Sequence, residues 1–344
     1  MISAKSPRPA PDPPSGGGLC SPAGGRRIAA SGHRIECPCL AWLLKFRQIS
    51  PMPLAQPRPP APPQAMPMTP PIDTRPIPST GEALPVIGCG TYIGFDLAPQ
   101  APGHAELPGV LAALFAAGGS VLDSSPMYGR AESTSGELLA AAGSRERAFI
   151  ATKVWTPGRD AGLAQMAQSF ARLRTERIDL MQVHNLVDWR VQLASARALQ
   201  DAGRVRYVGI THYTASAHAE VEAVLRAEKL DFLQINYALD DRAAAQRLLP
   251  LAQARGVAVL VNQPFGGGGL LRRLAGKPLP GWAPDIGCTS WAQVLLKFVL
   301  SHPAVTCAIP GTGRPERMQD NLAAGRGGVP DAAFWRRHGD SLGA

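Results

Sequence analysis

The chain has 344 residues, 45 % of them hydrophobic and 18 % charged, enough to bury a large core and to exclude a wholly unfolded polymer. Its net charge of +9 looks like a nucleic-acid signal until it is located: about +6 of it, nine Lys and Arg against Asp12, Glu36 and Asp73, lies in the first 75 residues. The remainder is close to balanced, so no basic face and no nucleic-acid partner are expected, and no run of about 18 apolar residues marks a membrane span.

Residues 1–75 read as a disordered, Pro/Gly-rich basic extension. They hold half of the 34 prolines, a Gly run at 16–18 and Pro-Arg-Pro-Pro-Ala-Pro-Pro at 57–63, which favour solvated, extended backbone over a packed core. Arg26-Arg27 invites a twin-arginine export reading, but His33, Arg34 and Glu36 interrupt the apolar stretch that export requires. None of the six cysteines forms a Cys-x-x-Cys pair and no His pair has zinc-finger spacing, so no metal site is expected. Cys89 and Cys307 fall in predicted strands and read as small buried apolar residues. A reducing, cytoplasmic setting fits this usage.

From about residue 84 the pattern changes and stays changed. Apolar runs at 85–89, 120–123, 149–153, 178–184, 206–210, 231–235, 257–261 and 305–309 each precede a segment of helical period. Glycines mark the returns, as at Gly118-Gly119, Gly203 and Gly256, where a helix end favours a left-handed residue. Eight strand-plus-helix units in this length predict an α/β fold, a closed parallel (β/α)8 (TIM) barrel spanning residues 76–344. An open doubly wound sheet is the competing fold, but no Gly-x-Gly-x-x-Gly follows any strand. The Gly266–Cys288 excursion, with Trp282 between prolines, is long for a connection and is a candidate cover for a ligand.

The last residues of the strands are polar: Asp123, Lys153, His184, Thr211-His212, Gln234 or Asn236, Asn262, and Pro310-Gly311-Thr312. In a barrel these positions meet at one mouth although they are far apart in sequence. Asp123, Lys153 and His184, with Tyr128 five residues after the first of them, form the candidate catalytic set. A phenol with an ordinary pKa of about 10 is a sluggish proton donor and acceptor at neutral pH. A nearby ammonium lowers that value, Lys153 can supply the charge, and Asp123 can keep the lysine protonated. Neutral His184 can hold the oxygen of a carbonyl. Such a site donates a proton but needs a separate hydride source.

These blocks resemble a family. Asp123-Ser124-Ser125-x-x-Tyr128-Gly129, Ala151-Thr152-Lys153-Val154-Trp155 and Met181-Gln182-Val183-His184 look like the three signature blocks of the aldo-keto reductases, and Gly209-Ile210-Thr211, Leu233–Tyr237 and Ile309–Asn321 continue the match in order. The resemblance implies reduction of a small-molecule aldehyde or ketone, or the reverse, with Tyr128 as general acid, Lys153 and Asp123 as its tuners, and His184 orienting the carbonyl. It implies NADPH as cofactor, with NADH the alternative. Gln234 would contact the nicotinamide carboxamide, Arg317 the ribose 2′-phosphate, and Asp320 and Asn321 the adenine. A guanidinium suits a phosphate dianion, and Thr312 adds a donor.

Three positions depart from the family pattern. Thr211-His212 stands for Ser-Asn, and Asn262, before Gln263-Pro264-Phe265, stands where a tyrosine usually stacks on the nicotinamide. Stacking is then lost or moved to another aromatic, for which Phe265 is a candidate, and Gly311 occupies the usual lysine position. Tyr92, Trp155 and Trp189 follow strand ends and are candidate walls of a substrate pocket. A monomer or weak oligomer is expected. Other readings stay open: a lyase using Lys153 as a Schiff base, a metal-dependent hydrolase built on Asp123, His184 and His212, and a cofactor-binding sensor or regulatory subunit with little turnover.

Overall fold

A computed structural model of the chain describes residues 70–338; most of the expected extension lies outside the described residues. The first element, absent from the expectation, is a hairpin of β1 (Thr74–Pro76) and β2 (Ala83–Pro85), so that β1 straddles the boundary drawn at 75/76. The chain then alternates: β3 (Cys89–Gly90), α1 (Leu107–Ala116), β4 (Val121–Asp123), α2 (Ala131–Ala141), β5 (Phe149–Val154), α3 (Arg159–Arg172), β6 (Ile178–His184), α4 (Trp189–Asp201), β7 (Val205–Thr211) and α5 (His218–Ala227). It continues through β8 (Phe232–Asn236), α6 (Leu248–Ala254), β9 (Ala258–Asn262), α7 (Gly269–Leu274), α8 (Trp291–Leu300), β10 (Val305–Ala308), α9 (Pro315–Ala323) and α10 (Ala332–His338).

β3 to β10 lie side by side in sequence order in one parallel sheet. The sheet curls until its edges meet: Ile87 bridges Ala308, Gly90 bridges Gly311, and Gly90 N–H donates to Pro310 O at 3.1 Å. The expected alternation is therefore present as an eight-stranded parallel barrel.

Period-two alternation along the strands sorts two cores. The inward cluster holds Val121, Phe149, Ala151, Leu180, Tyr207, Phe232, Leu260 and Cys307, together with Ile77 and Leu84 from the hairpin. The hairpin thus fills the end of the barrel where the strands begin. Outside it, Arg206 pairs with Asp179 at 2.9 Å and with Glu82, and the Tyr207 hydroxyl donates to Glu82 at 2.6 Å. The outward residues, among them Ile150, Val183, Ile210, Leu233 and Val259, pack against the helices. Burying such side chains contributes roughly 1.5–3 kcal/mol each before the entropy of ordering the chain is charged against it. Cys89 and Cys307 are fully buried, as expected, and burial raises both thiol pKa values, that of Cys89 to about 12.

The 266–288 excursion contains α7, and its Trp282 ring meets Phe334 at 5.2 Å and Trp335 at 6.0 Å, both on α10. This tryptophan docks the C-terminal helix. Buried Lys297 on α8 donates to the carbonyls of Arg326, Gly327 and Gly328 at 2.9, 2.7 and 3.0 Å, which ties down the chain after α9. Among the described residues no helix is long and apolar enough to cross a membrane.

Candidate active site

Inside the barrel the inward residues change from apolar to polar along each strand. On β5 the inward run is Phe149, Ala151, Lys153; on β6 it is Leu180, Gln182, His184; on β8 it is Phe232, Gln234. Parallel register sets these polar ends at similar depth: Lys153 pairs with Gln182, His184 with Thr211, and Thr211 with Gln234.

Asp123 is the hub. Its Oδ2 accepts from Lys153 Nζ at 2.8 Å, and its Oδ1 accepts from Gln234 Nε2 at 2.7 Å and from Gln182 Nε2 at 3.3 Å. Lys153 also donates to Ser124 O at 2.6 Å and is fully buried. An ion pair so deep is stable only because hydrogen bonds satisfy what remains of each charge. The Lys153 ammonium lies 4.9 Å from the centroid of the half-buried Tyr128 ring. Tyr128 in turn sits 6.1 Å from His184 edge-on and 5.0 Å from Tyr92. The four candidate catalytic residues, drawn from the ends of three strands and one turn, come together.

Electrostatics modify the expectation for the phenol. Burial raises the Tyr128 pKa, Lys153 lowers it, Asp123 adds to the rise, and the net direction is up. The phenol is therefore held protonated, as a donor rather than a phenolate. Burial works against the charge of Lys153, yet Asp123 and Tyr128 outweigh it and its pKa lies above the ordinary lysine value. Burial, then Lys153 and His212, push His184 down to about 3, so the imidazole is neutral throughout the physiological range. Its Nδ1 lies 3.2 Å from Ser125 Oγ, a partner that sequence reasoning missed.

This burial has a measurable consequence. Between about pH 6.5 and 3 the unfolded chain binds a proton at this imidazole that the folded chain refuses, so stability falls as pH falls through that window. His184→Gln is expected to flatten the acid limb of a plot of Tm against pH. An acid limb as steep as that of the parent would show that His184 is not the group responsible.

The remaining predicted residues are spread around the mouth. Thr211 Oγ donates to Gln234 Oε1 at 3.0 Å, so both ends of the Gln234 amide are engaged within the barrel. His212 Nδ1 accepts from the backbone N–H groups of Tyr213 and Thr214 at 3.0 and 3.3 Å, closing the turn after β7. Asn262 donates to His212 O at 3.1 Å, while its buried Oδ1 has no partner among the described residues. Phe265, expected as a replacement stacking ring, is a core side chain at 9 % exposure, with little of the ring left to stack; Pro264 beside it is buried too. Thr312 Oγ accepts from Arg314 N–H at 3.1 Å just before α9.

Asp320, expected near an adenine, has both oxygens taken by Ser290 Oγ at 2.8 Å and Gln293 Nε2 at 2.6 Å, which binds α9 to α8. Asn321 is buried, whereas Gly311 and Arg317 are exposed, and the Arg317 guanidinium makes no hydrogen bond or ion pair among the described residues. Trp155 is 43 % exposed, and Trp189 is half-buried under the Arg190 guanidinium at 4.2 Å. Gln182 could have been found in the sequence: it is a polar residue on the same face of its strand as Leu180 and His184.

A model of the aldo/keto reductase family matches residues 87–334. The chain belongs to the aldo/keto reductase family. It is an oxidoreductase by that membership. The methylglyoxal reductase YeaE of Escherichia coli is 29 % identical over 249 residues, covering 70 % of this chain and 85 % of its own. Among solved structures, a Klebsiella pneumoniae aldo-keto reductase in complex with NADPH superposes with a TM-score of 0.67 at 25 % identity, covering 79 % of this chain and 95 % of that one. A Klebsiella pneumoniae aldo/keto reductase with NADP and acetate gives 0.65 at 26 %, over 76 % and 92 % of the two chains. In this aldo/keto reductase, then, the mouth of the barrel carries both the buried ion pair and the polar turns after β9 and β10.

Proposed function

We propose that this aldo/keto reductase reduces an aldehyde or ketone to the alcohol with NADPH, or runs the reverse, using Tyr128 as proton donor. The observation that carries this reading is the buried Asp123–Lys153 pair, with the ammonium 4.9 Å from the Tyr128 ring in a site that keeps the phenol protonated. When bound, NADPH supplies the hydride. The residues present fit such a group: Arg317 is an exposed guanidinium suited to a 2′-phosphate, and the Oδ1 of Asn262, without a partner among the described residues, offers an acceptor for an amide N–H.

The chain's own groups have separable tasks. Neutral His184 donates to the carbonyl oxygen, Ser125 orients its ring through Nδ1, and the Tyr128 hydroxyl delivers the proton that the developing alkoxide takes up. Lys153, kept charged by Asp123, stabilises the phenolate left behind. Gln182 and Gln234 hold Asp123 and through it the whole array.

Titration of the protein with NADPH, followed by nucleotide fluorescence, tests the cofactor; oxidation of NADPH against a panel of carbonyls tests the reaction. Arg317→Ala is expected to weaken NADPH binding by about 10- to 100-fold, the loss of a charged hydrogen bond of roughly 1.5–3 kcal/mol, and to leave NADH binding within about twofold. Equal losses for both nucleotides would remove Arg317 from the 2′-phosphate role.

A further inference from the structure

Two of the departures from the family pattern, His212 and Asn262, stand together in the structure. One follows β7 and the other ends β9, the two neighbours of β8, and Asn262 Nδ2 donates to His212 O at 3.1 Å. Each leaves one group unused. His212 Nδ1 accepts from the backbone N–H groups of Tyr213 and Thr214 at 3.0 and 3.3 Å, so this nitrogen carries no proton of its own. Burial lowers the His212 pKa, with Glu220 opposing and His218 adding to the fall, and the ring is neutral at neutral pH. Its proton is therefore on Nε2, and that N–H has no partner among the described residues. The buried Oδ1 of Asn262 has none either. One donor and one acceptor at linked positions are the complement of a primary amide, which presents an acceptor C=O and a donor NH2.

Gln234, the residue that the resemblance gives to such an amide, is placed for something else. It is 1 % exposed, whereas His212 and Asn262 are half-buried. Its Nε2 donates to Asp123 Oδ1 at 2.7 Å, and its Oε1 accepts from Thr211 Oγ at 3.0 Å. The Thr211 hydroxyl is used in that contact, and Thr211 is as buried as Gln234. Gln182, fully buried on β6, donates to the same carboxylate oxygen at 3.3 Å. Two neutral amides thus hold Oδ1 of Asp123 while Lys153 holds Oδ2. They fix the carboxylate without competing with Lys153 for its charge.

A rival acceptor lies on the other side of β7. The buried Oδ1 of Asn185, next to His184, also has no partner among the described residues, but Asn185 is tied by its backbone N–H to Thr211 O at 2.8 Å and not to His212. It has no bonded link to the free donor, and serves as the control below.

We infer that two tasks have changed places in this chain: His212 Nε2–H and Asn262 Oδ1 take the oxygen and the NH2 of the nicotinamide carboxamide, and Gln234, with Gln182, is a positioning residue that acts through Asp123 on Lys153 and Tyr128. The inference rests on the NADPH-dependent reading of the site and departs from the role that the resemblance implies for Gln234. It makes His212 and Asn262 one change, an amide-reading pair in a site whose usual stacking tyrosine is replaced.

The test is binding of NADP+ and of its 3-acetylpyridine analogue, in which a methyl replaces the amide NH2, followed by quenching of protein fluorescence. The wild-type protein is expected to bind NADP+ about two- to tenfold more tightly, the worth of one hydrogen bond. Asn262→Ala should bring that ratio to one. His212→Phe, which keeps a ring against Tyr213, should weaken both nucleotides by a similar factor of about two- to tenfold, because both retain the oxygen. Gln234→Leu and the control Asn185→Ala should leave the ratio unchanged. Gln234→Leu should instead lower kcat on a carbonyl that the wild type reduces, and lower it no further in an Asp123→Asn background, since it acts only through that carboxylate. A ratio that falls to one in Gln234→Leu or Asn185→Ala but survives in Asn262→Ala would overturn the exchange and leave the reductase reading standing. Equal wild-type affinity for the two nucleotides, or additive losses in the double variant, would do the same. The expected ratios with no carbonyl turned over would keep the amide pair and remove the reductase reading, and failure to bind either nucleotide would remove both.

Discussion

Tyr128→Phe is expected to lower kcat for carbonyl reduction by about 10²–10⁴-fold, the range typical of removing a positioned general acid, with NADPH affinity within a fewfold of wild type. The substitution removes one oxygen from a half-buried ring that keeps its packing against Tyr92 and His184, so the fold and the polar turns after β9 and β10 are undisturbed. Steady-state rates and nucleotide fluorescence measured on the same preparation separate the two effects. Because burial holds the phenol protonated, the wild-type reduction rate should be flat through neutral pH, while alcohol oxidation should rise with pH as the phenolate becomes accessible. Retained turnover in the variant would assign the proton to another group.

Lys153→Met carries the second large effect, on stability and activity together. It leaves the Asp123 carboxylate buried without its cation, a change that costs about 3–5 kcal/mol, tempered by the amides of Gln182 and Gln234. Adding Asp123→Asn should restore most of the stability, since an amide replaces the stranded charge, but not the activity, since the ammonium beside Tyr128 is still missing. Denaturant melts and rates of the two single variants and the double one form the cycle that separates the roles. A double variant that regained turnover would make the pair purely structural. The lysine pKa is raised above its ordinary 10.5, so the contribution of the pair is complete at neutral pH and lost only as pH rises through that elevated value.

Much of this arrangement was legible before any coordinates. Eight apolar runs alternating with helical segments specified the parallel barrel, because buried strands and amphipathic helices leave different periods. Lys153 and His184 were recognisable because an ionisable group at the end of an apolar run is costly unless it is paired or useful. What escaped notice is equally specific. The hairpin at 74–85 is too short to show a period, and α7 lies in a Gly- and Pro-rich stretch that reads as loop. Asp320 looked free for a ligand because nothing in α9 alone shows that Ser290 and Gln293 reach it from α8.

The sequence by itself determined which residues could do chemistry and which strand end each would occupy, since these follow from side-chain type and period. Only the tertiary structure decided which of them touch. Gln234 finds Asp123 across 111 residues, and Gly94 presses on Thr312 so that Ile93 is held out in a strained turn. Those contacts depend on the register of neighbouring strands and on the meeting of β3 with β10, and no local stretch of sequence encodes either one.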